Sequence, residues 1–459
     1  MARPFVLASN RGPVSFRVED GELRSQRGAG GLVSGLGPLV RNTDTMWIAA
    51  ALSEGDRRAA ADGMIDAEGY RVRTLAIDED DLHLAYNTIA NETLWYAHHG
   101  LYDLSRSPSI DIDWYDAWTA YRRFNRAFAE AIVEEAADGA IVLLQDHHLA
   151  LAPPIIRDER PDLDVVHFTH TPFATTDQLR VLPELARTEL LLGYAAAGAA
   201  GFHSARWSED YSAAGRTFLG VKTRGFVSPL GPDPVAIRAL AHSPECDAEV
   251  AALDDVVGDR MLIARAERLE LSKNLIRGFE AYDQLLAMRP DLHGRVVFAA
   301  ALNPSREAVP DYIRYRMDME ATIDEINARW GTPDWTPIHY RAENNIHFSM
   351  ALLRRYDALL VNPIRDGMNL VAKEGPLVNE RNGVVLLSRE AGAWDELAGL
   401  VVEVHPYDIT QTAQAAADAL DMDPAQREEM AADLVDVVES RTPAEWLADQ
   451  RAAADELHA

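Results

Sequence analysis

Two basic residues, Arg268 and Lys273, lie five positions apart in the stretch RAERLELSKN, which overlaps the end of the apolar run MLIARA (261–266). The run predicts a buried strand, and the stretch predicts a loop that leads into a helix. A guanidinium fork and a compact ammonium at the beginning of a helix suit a diphosphate. The competing interpretation is a surface ion-pair cluster with Glu267 and Glu270, which occupy the same stretch.

A second candidate anion site is RDGMNLVAKEG (365–375), which follows the apolar run ALLVNP. Its Asp-Gly pair predicts a sharp turn and then a helix, whose first backbone N–H groups have no partner within the helix. Asp366 can accept hydrogen bonds from sugar hydroxyls, and Glu374, about one helical turn further on, can bind a ribose diol. The amides available at the turn are those of Gly367, Met368, Asn369 and Leu370.

A glycine-rich stretch, RGAGGLVSGL (27–36), forms a third candidate anion site and follows the motif SNRGPV (9–14). A glycine-rich turn that enters a helix presents bare backbone N–H groups to an anion. Glycine runs also form plain turns, so both interpretations stay open for this feature. The spacing is not G-x-G-x-x-G, which disfavours a dinucleotide site.

Two histidine-containing motifs, QDHHL and FTHTPF, each follow a predicted strand. Their residues Asp146 and His170 could bind sugar hydroxyls or position a reacting centre, although a single histidine at a strand end is more often a structural hydrogen-bonding residue. His147 and His148 are adjacent and lack the i, i+4 spacing of H-E-x-x-H. We therefore expect no metal site here.

Short apolar runs alternate with amphipathic helical patterns along the chain. This alternation predicts parallel sheets that are covered by helices on both faces, with ligands at the carboxyl ends of the strands. A stretch rich in proline and glycine, SPLGPDPVAIRA (228–239), separates two such series. We therefore predict two doubly wound α/β domains. The clearest predicted strands are residues 5–10, 140–146, 165–170, 261–266, 295–302, 358–363 and 384–388.

The composition favours a folded enzyme of more than one domain, because 459 residues, 47% of them hydrophobic, exceed one ordinary core. A formal net charge of −29 disfavours partners such as nucleic acid and anionic membranes. The single cysteine, Cys246, excludes an intrachain disulfide and a thiolate metal site. The N-terminal stretch lacks a signal-peptide pattern, and no run of about 18 apolar residues occurs, so we expect a cytoplasmic location.

Taken together, these motifs resemble the trehalose-6-phosphate synthase family, the retaining GT-B glycosyltransferases of family 20. The resemblance implies the GT-B fold, with two Rossmann-like domains (1–233 and 234–440) that border a cleft, and a C-terminal helix (441–459) that packs back on the first domain. It also implies transfer of glucose, with retention, from a nucleoside diphosphate to glucose 6-phosphate, without a metal or other cofactor. The motifs that carry it, in order, are SNRGPV, GAGGLVSGL, NTIANETLW, QDHHLALAP, FTHTPF, ERLELSKN, NPSRE and RDGMNLVAKE.

The resemblance implies a donor site built from several of the motifs. Arg268 and Lys273 hold the donor diphosphate, and Glu374 holds the nucleotide ribose. His170 lies over the sugar ring near its 6-position. The residues that complete the donor site through backbone groups or a carboxylate are Gly30, Gly31, Asp366, Gly367, Met368, Asn369 and Leu370.

The resemblance also implies an acceptor site, in which Arg11 and Arg306 hold the 6-phosphate. Tyr86, Trp95 and Asp146 surround the acceptor sugar, and Trp47 forms a wall of the same pocket. In the family reaction the departing phosphate removes the acceptor proton, so no closely paired carboxylates are needed. The residues implied in catalysis are Asp146, His170, Arg268, Lys273 and Asp366.

Some motifs depart from those of better-known members of the family, and these departures keep alternatives open. AERLELSKN, HTPFA and LGPDP resemble the actinobacterial branch, which includes users of GDP-glucose and pseudo-glycosyltransferases of the validoxylamine type. We therefore favour GDP-glucose over UDP-glucose as donor. The alternatives are a pseudo-glycosyltransferase that joins a cyclitol nucleotide to an aminocyclitol phosphate, and a noncatalytic sugar-phosphate-binding homologue. A homo-oligomer also stays open.

Overall fold

The computed structural model describes residues 3–28, 31–307 and 309–458. The chain divides into two compact units. One contains the residues up to Pro229 together with those from Pro443 onward, and the other contains Leu230–Thr442. Among the described residues, no helix has the length and apolar character that crossing a membrane requires.

The described residues of the first unit form ten strands, eight of which make up one sheet. The strands are β1 (Phe5–Ser9), β2 (Val14–Glu19), β3 (Glu22–Arg27), β4 (Met46–Ala50), β5 (Met64–Ala67), β6 (Tyr70–Leu75), β7 (Ile141–Gln145), β8 (Asp164–Thr169), β9 (Ala199–Phe202) and β10 (Gly225–Val227). The sheet order is β10-β9-β8-β7-β1-β4-β6-β5, and every neighbouring pair is parallel except β5–β6. The antiparallel pair β2–β3 is separate.

The predicted strands of this unit are confirmed as β1, β7 and β8, which are neighbours in the sheet. All of their residues are buried and most of them are apolar, as expected for strands covered on both faces. Because the three strands are parallel, the residues that follow them leave the sheet at one edge. Arg11, Asp146 and His170 are all within two residues of these strand ends.

Helices pack on the sheet of the first unit, and the longest of them, α5, buries the aromatic stripe from Trp114 to Phe128. The helices are α1 (Gly31–Val40), α2 (Glu54–Ala60), α3 (Glu79–His83), α4 (Trp95–His99), α5 (Ile112–Glu135), α6 (Ala152–Glu159), α7 (Thr176–Leu179), α8 (Glu184–Ala196) and α9 (Ala205–Ala214). Two π-helical segments, Leu84–Leu94 and Gly215–Leu219, and a 3₁₀ turn, His147–Leu149, lie between them.

The second unit is built on a fully parallel six-stranded sheet. Its elements are α10 (Pro234–Ala241), α11 (Pro244–Val257), β11 (Met261–Arg268), α12 (Leu275–Met288), β12 (Val296–Asn303), α13 (Pro310–Trp330), β13 (Ile338–Arg341), α14 (Ile346–Arg355), β14 (Ala358–Val361), α15 (Val371–Val378), β15 (Val384–Ser388), α16 (Trp394–Leu397), β16 (Val402–Val404), α17 (Ile409–Asp421) and α18 (Pro424–Glu439). Short 3₁₀ turns occur at Leu271–Lys273 and Pro290–Leu292. The four strands predicted in this half are confirmed as β11, β12, β14 and β15.

The strand order of the second sheet is β13-β12-β11-β14-β15-β16. Numbered within the unit, this is 3-2-1-4-5-6, the Rossmann order, in which the chain reverses direction across the sheet between the first and fourth strands. A crevice forms at that reversal, outside the carboxyl ends of β11 and β14, because the connections leave in opposite directions. RAERLELSKN begins within β11 and continues beyond it, and RDGMNLVAKEG begins three residues after the end of β14. Because β11 and β14 are neighbours, the topology brings these two candidate anion-binding stretches together.

The C-terminal helix α19 (Pro443–Asp455) belongs to the first unit and is followed by a 3₁₀ turn, Glu456–His458. Trp446 is fully buried, with its ring 4.9 Å from that of Phe168 at the end of β8. Ser228 Oγ donates to Asp449 Oδ2 at 2.9 Å, and Arg224 pairs with Glu456 at 2.8 Å. The helix is therefore an integral layer beneath the sheet of this unit.

Candidate active site

Lys273 and Asp366 form an ion pair at the reversal point of the second unit's sheet. Lys273 ends the 3₁₀ turn after β11, and the Ile364 N–H, in the loop after β14, donates to the Ser272 carbonyl at 2.8 Å. This bond ties the two loops together. Burial alone would lower the pKa of Lys273, but the charges of Asp366 and Glu267 outweigh it and raise the pKa above its usual value. Lys273 is therefore a permanently charged cation in a largely buried position.

Glu270 is a fully buried carboxylate that joins two arginines. Its Oε1 lies 2.7 Å from Arg268 Nη1 and accepts from Arg306 Nη1 at 2.7 Å and from Ser305 Oγ at 2.8 Å. Burial would raise the pKa of Glu270, but the two arginines dominate and lower it to about 2. One ionised carboxylate thus sets the positions of Arg268 and Arg306 together.

The glutamates of RAERLELSKN do not form the surface cluster that was the competing interpretation. Glu267 and Glu270 are both buried, whereas Arg268 exposes half of its side chain. Burial raises the pKa of Glu267, against the charges of Arg265 and Lys273. The buried carboxylates of Glu267 and Glu270 therefore pair with Lys273 and Arg268, and the Arg268 guanidinium reaches solvent.

The Asp366 turn is held by a parallel bridge to the loop after β15. The Asp366 N–H donates to the Glu390 carbonyl at 2.9 Å, and Asn369 Nδ2 donates to Asp366 Oδ2 at 3.0 Å. Gly392 packs so closely that a Cβ there would lie 1.9 Å from the Gly367 carbonyl oxygen. Helix α15 begins only at Val371, so Gly367, Met368, Asn369 and Leu370 form its non-helical approach rather than its first turn.

Lys373 and Glu374, in the first turn of α15, have different environments. Lys373 is buried, and its ammonium donates to the Leu230 carbonyl at 3.1 Å and to the Glu396 carboxylate. Burial lowers the pKa of Lys373, against the opposing charge of Glu396. Burial also raises the pKa of Glu374, to about 7. Lys373 therefore anchors the helix, and Glu374 is the group of this turn that can change charge near neutral pH.

In the first unit, Asp146 is the centre of a cluster of polar side chains. Its backbone has a positive φ of 71°, which residues other than glycine rarely adopt. Oδ1 accepts from the backbone N–H groups of His147 at 3.0 Å and His170 at 3.2 Å. Burial would raise the pKa of Asp146, but the charge and hydrogen bond of His147 and the charge of His148 hold it well below its usual value. Asp146 is therefore ionised and fixed.

Asp146, His147 and His148 carry possible metal-ligand atoms that all lie within 4.8 Å of one another. The two nitrogens of His147 are engaged, however. Nδ1 lies 3.1 Å from Asp146 Oδ1, and Nε2 lies 3.1 Å from the Ala90 carbonyl oxygen. Both neighbours are oxygen atoms of the protein, so each ring nitrogen of His147 already faces a partner within the first unit.

Arg11, Tyr86, His148 and Asp146 form a continuous row in the first unit. Arg11 Nη2 donates to Tyr86 Oη at 3.2 Å, and the Tyr86 ring stacks on His148 with 5.7 Å between centroids. His148 Nδ1 lies 3.7 Å from Asp146 Oδ2. A basic end, an aromatic face and an ionised carboxylate in one row are the groups that a phosphorylated sugar needs.

The other predicted aromatic residues lie deeper. Trp95 begins α4 and stacks on His99 with 4.0 Å between ring centroids. Trp47 lies on β4 and is buried, and its Nε1 donates to Ser9 Oγ at 2.8 Å. Ser9 ends β1, so Trp47 supports the strand that leads to Arg11.

The structure thus brings the predicted residues together in two groups, one in each unit. Gly30 lies outside the described residues, and Gly31 is the first residue of α1. Sequence reasoning missed several supporting residues, because each acts through a partner distant in the chain or through close backbone packing. They are Gln145, His203, Glu270 as a bridge, Gly392 and Gln450.

Comparisons with known proteins agree on one family. The model of Glycosyltransferase family 20 matches residues 3–456. Alpha,alpha-trehalose-phosphate synthase [UDP-forming] of Botryotinia fuckeliana is 30% identical over 445 residues, which are 92% of this chain and 83% of that protein. Validamine 7-phosphate valienyltransferase of Streptomyces hygroscopicus subsp. jinggangensis is 30% identical over 470 residues, 97% of this chain and 93% of that protein.

A solved structure shows the same likeness in three dimensions. The alpha,alpha-trehalose-phosphate synthase (UDP-forming) from Burkholderia xenovorans, in complex with glucose-6-phosphate, superimposes with a TM-score of 0.85 at 26% identity. The match covers 98% of this chain and all of that chain. The likeness therefore includes both units.

The buried pair Lys373–Glu396 gives a prediction about stability. Lys373→Met leaves the Glu396 carboxylate without its buried partner, so we expect the free energy of unfolding to fall by about 3–5 kcal/mol. The double variant Lys373→Met with Glu396→Leu removes both charges and should regain most of that loss. Urea unfolding measures both changes. Lys222→Met, at an exposed lysine, is the matched control; a double variant as unstable as the single one would contradict the assignment.

Proposed function

The chain belongs to glycosyltransferase family 20 and has the GT-B fold, and on that premise we propose that it transfers glucose, with retention, from a nucleoside diphosphate to glucose 6-phosphate to give trehalose 6-phosphate. The observation that carries the proposal is the arrangement of Arg268, Lys273 and Asp366 at the reversal point of a Rossmann-ordered sheet. A largely buried cation at such a crevice suits the diphosphate of a nucleotide sugar. We assign the donor to residues 234–440 and the acceptor mainly to residues 1–233.

In the proposed donor site, Lys273 and Arg268 stabilise the charge that develops on the departing diphosphate. Their supporting acids, Asp366 and Glu270, hold both cations in place before substrate binds, so little reorganisation is needed during the reaction. Asp366 also accepts from the donor sugar, and the backbone of the Gly367–Leu370 turn binds the sugar and phosphate. Glu374 binds the ribose.

In the proposed acceptor site, Arg11 and Arg306 bind the 6-phosphate of the acceptor sugar. The ionised Asp146 accepts from sugar hydroxyls and orients the attacking group, with Tyr86, Trp95 and Trp47 as the surrounding aromatic residues. The attacking hydroxyl gives its proton to the departing phosphate on the same face of the sugar. The protein contributes orientation and charge stabilisation rather than a covalent intermediate.

The donor base and the type of substrate are the finer parts of the proposal. We favour GDP-glucose, on the likeness of AERLELSKN, HTPFA and LGPDP to the branch that includes GDP-glucose users, although two of the similar proteins named above are UDP-forming synthases. The similarity to a valienyltransferase supports a second candidate, a pseudo-glycosyltransferase that uses a cyclitol nucleotide and an aminocyclitol phosphate. A noncatalytic homologue is disfavoured, because binding alone needs no buried diphosphate clamp.

A panel of donors and acceptors tests the function. The purified chain is incubated with GDP-glucose or UDP-glucose and glucose 6-phosphate, and in parallel with a cyclitol nucleotide and an aminocyclitol phosphate. We expect trehalose 6-phosphate with α,α linkage in the proton NMR spectrum, formed faster from GDP-glucose. Product from the cyclitol pair alone would favour the second candidate, and no trehalose 6-phosphate from either glucose donor would overturn the first.

The position of Glu270 predicts a coupled loss at both substrates. Glu270→Gln keeps the shape but removes the charge that fixes Arg268 and Arg306. We expect KM for both the nucleotide sugar and the sugar phosphate to rise, and kcat/KM to fall about 10–100-fold, as for loss of charged hydrogen bonds. Steady-state kinetics measure this. Glu307→Gln, at a nearby exposed glutamate, is the control, and a rise in only one KM would argue against the bridge.

The raised pKa of Glu374 predicts pH-dependent donor binding. Above a pKa of about 7 the carboxylate is ionised and accepts from both ribose hydroxyls. Below it the group is protonated, so the affinity for a nucleoside diphosphate should fall about tenfold between pH 8 and pH 6. Isothermal titration calorimetry at several pH values measures this. Glu374→Gln should bind weakly and lack this component, which separates it from titration of the nucleotide itself; equal pH dependence in both proteins would refute the assignment.

A further inference from the structure

A chain of hydrogen bonds in the first unit ends on His170. Gln450, on α19, accepts through Oε1 from Gln145 Nε2 at 3.1 Å. The other end of the same amide, Gln145 Oε1, lies 3.0 Å from His170 Nε2. Gln145 is the last residue of β7 and is 305 positions away from Gln450 in the chain. Both glutamines are fully buried, so no water competes for these bonds.

This series of hydrogen bonds has a direction, because the two ends of the Gln145 carboxamide are chemically different. The NH₂ group of Gln145 can only donate, and its oxygen can only accept. Since the NH₂ group faces Gln450, the oxygen faces His170, and His170 Nε2 must carry the proton of that hydrogen bond. Burial lowers the pKa of His170, against the opposing charge of Asp146. The ring is therefore neutral at physiological pH, with its lone pair on Nδ1.

The second nitrogen of His170 faces another histidine, His203. His170 Nδ1 lies 3.2 Å from His203 Nε2, and a lone pair on Nδ1 accepts from a proton on His203 Nε2. The two histidines are therefore compatible in one defined pair of tautomers. The one lone pair of Nδ1 is used by His203, so both ring nitrogens of His170 are held by partners in the first unit.

The position of Gln450 is rigidly defined by its own helix. Trp446, one turn earlier on α19, packs with its ring 5.6 Å from that of His170. Asp449, the preceding residue, accepts from Ser228 Oγ at 2.9 Å. Helix α19 is thus held by two contacts in the turn that leads to Gln450.

We propose that Gln450, acting through Gln145, is a positioning residue that sets the Nε2–H tautomer of His170 and so directs the Nδ1 lone pair at His203. The statement about the tautomer depends only on the first unit. The expected effect on catalysis rests on the proposed function, which it deepens by naming what holds His170 in place.

The tautomer is tested without any substrate. The full chain labelled with ¹⁵N-histidine is studied by long-range ¹H–¹⁵N correlation NMR, and the His170 signals are assigned by their loss in His170→Gln. We expect a protonated Nε2 and an unprotonated Nδ1. Gln450→Leu releases Gln145 and should give a mixture of the two tautomers, whereas Gln450→Glu retains an accepting oxygen and should keep the wild-type pattern.

Kinetics and folding controls complete the test. We expect Gln450→Leu to lower kcat/KM for the nucleotide sugar about tenfold through the loss of a fixed His170 ring, with a small change in KM for the sugar phosphate. Ala448→Ser, at an exposed position of the same helix, is the control, and thermal unfolding verifies that each variant is folded. A protonated Nδ1 in the wild type, or an unchanged His170 pattern in folded Gln450→Leu, would overturn the proposal. Absence of glycosyl transfer by a wild type with the expected tautomer would overturn only the proposed function.

Discussion

The ion pair between Lys273 and Asp366 is the contact around which the second unit is arranged. Each residue alone would be an expensive charge in a largely buried place, so neither can be kept without the other. The pair is possible only because β11 and β14 are neighbours in the sheet, although 89 residues lie between the end of β11 at Arg268 and the start of β14 at Ala358. The two intervening strands, β12 and β13, lie on the other side of β11. The loop-to-loop bond from Ile364 and the buried Glu267, 3.9 Å from Lys273 Nζ, support the same pair at the crevice.

The two units solve the problem of buried polarity in different ways. In the second unit, charged groups are paired with opposite charges, and Glu270 serves two arginines at once. In the first unit, Asp146 is surrounded by histidines and backbone N–H groups, and the glutamines continue the network to α19. Paired charges suit a substrate group that is itself strongly charged. Neutral hydrogen bonds suit hydroxyl groups, whose recognition depends on the directions of donors and acceptors.

Much of the fold could be predicted from the sequence, because strands that are buried on both faces have nearly continuous apolar sequences. The run MLIARA and the turn RDGMNLVAKEG each carry a local signal, and the structure places both where that signal indicates. The less apolar strands β5 and β6, and the hairpin β2–β3, lacked such runs and were missed. Glu270 was recognised in the sequence as a possible ion-pair residue. Its role as a bridge between two arginines could not be predicted, since its bond to Arg306 spans 36 positions. The pairing of Gln145 with Gln450 has no local signal in the sequence, because the two side chains meet only when α19 packs against the first sheet.

The return of α19 to the first unit has a consequence for how the protein is made. Domains generally fold as units while the chain emerges from the ribosome, beginning with the N-terminal one. Here the second unit is contiguous and has all its elements once Thr442 has been synthesised, whereas the first unit still lacks α19, the helix that carries the buried Trp446. During that interval the end of β8 is uncovered, so the nascent first unit exposes apolar surface until synthesis has passed Asp455. The hydrogen-bonded surroundings of His170 therefore cannot be complete before α19 has been synthesised.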